Sequence, residues 1–259
     1  MSVHQGRSVV RGPIPRCALI AILAAVLILG ITTPVAALEW GHAQRQSNTA
    51  AAERNWAQQG LAAATQIANG LVSDIARALL DRGLAYLEKG DLERAIADFD
   101  QAIAIAPTYA DAYYNRGRVH FYRRSFVKAQ TDFKRANELE PMDAYSALWL
   151  YLAERRSDAP SSLLQASKHI DMKNWPAPIV RLFLGQLSPA QALAAAEDPN
   201  PKKKQDQVCE ANFYVGEFEL LRDARDEASR SFRLAANGCP PGSDARRAAI
   251  FELKSFAAD

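Results

Sequence analysis

Five residues of this chain recur in register. Gly83, Ala95, Phe99, Ala102 and Pro107 return 34 residues later as Gly117, Ala129, Phe133, Ala136 and Pro141. Between them the apolar residues follow helical spacing, Gly90 breaks the first unit in two, and proline closes each unit. A small residue suits the point where two helices cross closely. A phenylalanine fills the space beneath, and a further alanine admits the next hairpin. The pattern predicts antiparallel helical hairpins over 76–109 and 110–143. One such hairpin buries too little apolar surface to persist, whereas stacked hairpins share a core and leave a curved trough along their first helices. Long alternating strand patterns are missing, so the expected class is all-α.

The period and its small residues resemble the tetratricopeptide repeat (TPR), which implies an α-solenoid of antiparallel hairpins with a capping helix at its end. Gly216, Ala228, Phe232, Ala235 and Pro240 repeat the spacing and define a third unit, 209–242. Cys209 and Cys239 open and nearly close that unit. An antiparallel hairpin returns to its start, so the two sulfurs should be neighbours. They are either a disulfide, as suits an exported chain with two cysteines after processing, or two buried reduced thiols.

The remaining segments are less regular. Arg7, Arg11 and Arg16 precede an uncharged run, 17–31, followed by the small residues Val35 and Ala37. This order describes a secretory signal, 1–37, cut after Ala37, with a retained anchor as the alternative. Either way the rest is expected to be exported to the periplasm, free or held at the membrane. Cys17 lies at the start of the apolar run, where no lipobox cysteine belongs. Residues 38–75 read as a flexible start and an eroded hairpin. Residues 144–208 read as a degenerate repeat with Tyr151 at the glycine place, short helices from Ala177 and after Ser188, and a polar linker at 199–206 carrying three lysines. Residues 243–259 open with a Ser-Asp cap signal and read as a capping helix.

No constellation for catalysis or metal binding stands out. His42, His120 and His169 are isolated, and no glycine-rich phosphate loop or GxSxG occurs. Asp91, Glu93, Asp98 and Asp100 read as a solvated helix face. A net charge of +2 gives no pull toward nucleic acid. The chain is read as a non-enzyme without cofactor or metal, and its useful property is a surface. In the second repeat Tyr114, Asn115, Arg118, Phe121 and Tyr122 fall on the trough-facing side of the first helix. An amide can pair with peptide backbone, a guanidinium with a carboxylate, and the rings offer rigid contact area. Arg77, Tyr145 and Arg155 extend this candidate groove. The competing reading is that these aromatics pack between repeats.

The stretches "LWLYLAE" (148–154), "WPAPIVRLFLGQLS" (175–188) and "EANFYVGEFELL" (210–221) resemble NlpI-type envelope proteins, which are bacterial TPR lipoproteins. The resemblance spans about 76–255. It implies an adaptor that binds a periplasmic processing protease and murein hydrolases, in a family of lipid-anchored dimers. This chain differs in lacking a lipobox and in carrying the cysteine pair. The function expected is a periplasmic adaptor for protein or peptide partners, with a structural subunit of an envelope assembly as the alternative. A homodimer is consistent with the family, and membrane contact is expected only through an uncleaved anchor.

Overall fold

The computed structural model describes residues 33–256, with side chains from Leu38 onward. The expected signal segment therefore lies outside the described residues, except for its last five, which open a helix. The chain divides into two compact units, 1–68 and 69–259. The described part of the first unit belongs to helix α1 (Thr33–Glu88). Its side chains are exposed, Trp40 and Trp56 among them. The flexible start and eroded hairpin expected over 38–75 are replaced by this one unbroken helix. The reason is compositional: the stretch is rich in alanine and straight-chain residues, and its glycines at 41, 60 and 70 are single, each tolerable within a helix at a cost of about 1 kcal/mol.

The second unit is an all-α solenoid of hairpins, with no strand among the described residues. The last turns of α1 pair with α2 (Leu92–Ile105). Then α3 (Ala110–Tyr122) pairs with α4 (Phe126–Leu139), and α4 passes directly to α5 (Ala144–Arg156). After a single turn, α6 (Leu163–Ala166), come α7 (Ala177–Phe183) and α8 (Pro189–Ala194). A third full hairpin, α9 (Pro201–Leu220) and α10 (Arg225–Gly238), is followed by α11 (Asp244–Phe256). One hydrophobic core runs through this unit from Leu80 to Ala249.

The repeated glycines sit where expected. A Cβ at Gly83, Gly117 or Gly216 would lie 2.5, 2.9 or 2.6 Å from the ring of Phe99, Phe133 or Phe232 respectively, so each hairpin crosses at the distance only glycine permits. Those three rings are fully buried. Beside two of the crossings a buried aspartate is forked by an arginine: Arg82 donates to Asp98 (2.7 and 2.6 Å) and Arg116 to Asp132 (2.9 and 2.5 Å). Asp98, expected on a solvated face, is instead 4% exposed. The sequence holds the signal, since arginine precedes the glycine and aspartate precedes the phenylalanine in both repeats.

In the degenerate unit Tyr151 occupies the crossing, and its ring meets Phe183 of α7 at 4.8 Å. The second helix of that unit is reduced to α6. Helix α8 begins with Ser188 in a capping box with Gln191 and Pro189 at its first turn. The lysine run is not a linker. Asn200 accepts from the backbone N–H of Lys202 (3.0 Å) and Lys203 (3.2 Å), Pro201 takes the first position, and α9 therefore starts before the lysines. Asn-Pro was the available sequence signal. Cys209 and Cys239 form a disulfide with their Cα atoms 5.1 Å apart. Among the described residues no helix is long and apolar enough to cross a membrane.

Candidate functional site

The first helices of successive hairpins, α3, α5 and α9, line one side of the second unit. With the start of α11 they enclose a cavity of about 440 Å³. Its floor is aromatic: Trp149 and Phe213 stack at 5.5 Å, and Tyr214 lies beside Phe213 at 5.0 Å. All three are buried. Tyr114 and Tyr145, half-buried, form the walls, and Asp111, Glu140, Asp143, Glu210 and Asp244 complete the lining. Helical periodicity explains the set, because Tyr145 and Trp149 are four apart on α5, as are Glu210 and Tyr214 on α9.

The carboxylates are not equivalent. Asp143 caps α5, accepting from the N–H of Tyr145 (3.1 Å) and Ser146 (2.9 Å). Asp111 and Asp244 lie in the first turns of α3 and α11, where the helix dipole favours a negative charge. Asp244 is also ion-paired with Arg118 and, at 3.1 Å, with Arg247. Glu140, in contrast, stands at the C-terminal end of α4, where the dipole is unfavourable to it. Glu210 lies within α9 and receives two neutral donors, Tyr145 Oη at 2.9 Å and Trp175 Nε1 at 2.6 Å. Burial raises the Glu210 carboxyl above its ordinary value, against the pull of those two hydrogen bonds. Burial, with the neighbouring Asp143, raises Asp111, and burial, with Asp111 and Asp143, raises Glu140.

The structure divides the eight groove residues expected from the sequence. Tyr114 and Tyr145 line the cavity. Phe121 is 1% exposed and packs edge-on against Phe126 and Trp149, each at 5.1 Å, as an inter-repeat residue. Asn115, Arg118 and Tyr122 are buried beneath the C-terminal helix. Asn115 donates to the Asp111 carbonyl (2.8 Å) and accepts from Arg118 Nη1 (2.8 Å). Arg118 Nη2 donates to Tyr122 Oη (3.3 Å) and to Asp244. The Tyr122 ring stacks flat on Phe251 of α11 at 4.5 Å. Arg77 and Arg155 are exposed and stand outside the cavity lining.

Helix α11 is held further along by a buried charge cluster. Arg156 reaches Glu217 of α9 (3.2 Å) and Glu252 of α11 (3.3 Å), and Arg124 lies 3.9 Å from Glu252. Sequence reasoning did not single out Glu210, Tyr214 or Asp244. The first two do lie within a stretch quoted for the family resemblance.

A family model for the TPR repeat matches residues 83–122. This chain contains a TPR repeat. The matched stretch covers the first glycine crossing and all of α3, and such repeats generally mediate protein–protein interactions.

Proposed function

We propose that this protein is a non-catalytic adaptor that holds a protein partner in the cavity between α3, α5 and α9. The observation that carries this reading is the cavity itself: a recess with an aromatic floor and carboxylate rim, on the side of the solenoid formed by the first helices of its hairpins. The finer reading is an exported, periplasmic adaptor of the NlpI type that regulates a processing protease or a cell-wall hydrolase. In support, the three stretches that carry the resemblance come together in space. Trp149 stacks on Phe213, Trp175 donates to Glu210, and Phe183 meets Tyr151 and, at 6.3 Å, Phe218.

The test uses the chain lacking residues 1–37 as bait in envelope extract, beside an Asp111→Lys, Glu140→Lys variant. Both residues are exposed at the rim, so the fold should persist, as circular dichroism and thermal melting will report. A protease or murein hydrolase captured by the unaltered chain and lost by the variant is the expected result. Equal capture by both moves the interface away from the cavity. Cleavage of murein or peptide by the purified chain alone overturns the non-catalytic reading.

A further inference from the structure

The cavity lining contains five carboxylates and no lysine, arginine or histidine. Three of the five have structural employment at helix N-termini, as a cap or in the Arg118 ion pair. Glu140 and Glu210 have no cationic partner among the described residues: one sits at the wrong end of a helix dipole, and the other is held only by the neutral donors Tyr145 and Trp175. A second observation is independent of the carboxylates. Tyr214 is 2% exposed and lines the cavity, and its hydroxyl has no hydrogen-bond partner among the described residues. That hydroxyl opens into the cavity, so a ligand that reaches it gains a hydrogen bond the protein itself does not supply.

A cation between aromatic faces and carboxylates gains from both. The planar, always-charged guanidinium is the better match, since it forks to carboxylates and stacks flat on rings, whereas an ammonium meets both only as a compact point charge. Resting on the adaptor reading above, we infer that the cavity receives the arginine side chain of a partner peptide, its guanidinium between Glu210 and Glu140 and against the rings of Tyr114, Tyr145 and Tyr214. The cavity is of the size usual for specific ligand recesses, roughly 300–1,000 Å³. The peptide backbone remains at the rim beside Asp111.

The indole N–H of Trp175 donates to Glu210 and reports on it directly in a proton–nitrogen correlation spectrum. The probe is acetyl-Ala-Arg-Ala-amide, titrated into the chain lacking residues 1–37, beside the same peptide with citrulline, the neutral isostere. The arginine peptide should shift the Trp175 signal saturably, and the citrulline peptide should bind roughly tenfold more weakly or worse, as loss of one charge-assisted pair implies. Glu210→Gln, which keeps an acceptor for Tyr145 and Trp175, should weaken the arginine peptide by a similar factor. Glu140→Gln, at the exposed rim, should weaken it in a protein whose fold is not at risk. Equal binding of arginine and citrulline peptides, or no saturable shift, overturns the inference; so does a simple diamine that binds as tightly as the peptide. If the arginine peptide fails while the rim double variant still loses its partner, the adaptor reading stands and the arginine assignment falls. If the peptide binds while partner capture ignores the rim, the assignment stands and the adaptor reading falls.

Discussion

Gly216→Ala is the most direct test of how the hairpins cross. A Cβ there would lie 2.6 Å from both Cδ1 and Cε1 of Phe232 and 3.1 Å from Cγ. The ring is fully buried, with Phe213 at 6.1 Å on one side and Phe256 at 5.9 Å on another, so it cannot retreat without displacing other rings. Overpacking of this kind costs about 1–3 kcal/mol. Opposing it, alanine is favoured over glycine in a helix by about 1 kcal/mol. The single variant should therefore be destabilised by up to about 2 kcal/mol, a partial cancellation that on its own says little. The informative quantity comes from a cycle with Phe232→Leu. Once the ring is gone, Gly216→Ala retains only its propensity gain and should stabilise by about 1 kcal/mol, giving a coupling of about 1–3 kcal/mol. Urea denaturation of the four oxidised proteins measures it, with unchanged slopes showing that only stability has moved. Gly238→Ala, where a Cβ meets nothing within 4 Å, is the control and should show no penalty. Additivity of the two changes within about 0.5 kcal/mol would mean that ring and glycine are not opposed, and the close crossing would be wrong.

Two further outcomes follow from buried groups. The Cys209–Cys239 bridge joins residues 30 apart, and opening it should cost about 3–4 kcal/mol of chain entropy in the unfolded state; thiol titration of the denatured, unreduced chain lacking residues 1–37 should find no free sulfur. Burial, then the Glu252 carboxylate, hold the Glu217 carboxyl well above its ordinary value, while Arg156 and Arg124 act the other way. A carboxyl raised on folding binds its proton more tightly in the native state. Stability from this group is thus complete below its unfolded value near 4.5 and is lost as pH rises toward about 8. Stability measured against pH should fall across that window in the native sequence and flatten in Glu217→Gln. An unchanged slope would remove Glu217 as its source.

Most of the scaffold was readable because it is local and repeated. The crossings at 83, 117 and 216, the prolines and the cysteine pair follow from spacing alone, since each joins positions within one hairpin. The Arg–Asp forks were equally local and went unread because a charge on a helix surface resembles a solvated one until its partner's register is considered. The lysine run misled because its composition outweighs the Asn-Pro start that precedes it. The site was only half readable. Tyr114 and Tyr145 follow from position on the first helices, but Arg118 meets Asp244 across 126 residues of sequence, and no periodicity reports such a pair.

That long-range pair changes what kind of recognition the solenoid can perform. A bare trough would present the whole of α3, from Asp111 to Tyr122, to an extended chain. Here α11 lies across the second half of that helix: Arg118 is paired with Asp244, Tyr122 is stacked on Phe251, and the cluster of Arg156, Glu217 and Glu252 fixes the helix behind them. What stays open is the first turn of α3, facing α5 and α9. Closing one end of a trough turns it into a recess, and a recess reads an inserted side chain where a trough reads a length of backbone. The same helix takes Arg118 out of use, and among the described residues no cation is paired with the carboxylates of Glu140 and Glu210. The charge preference of the site is therefore a consequence of how the solenoid is capped.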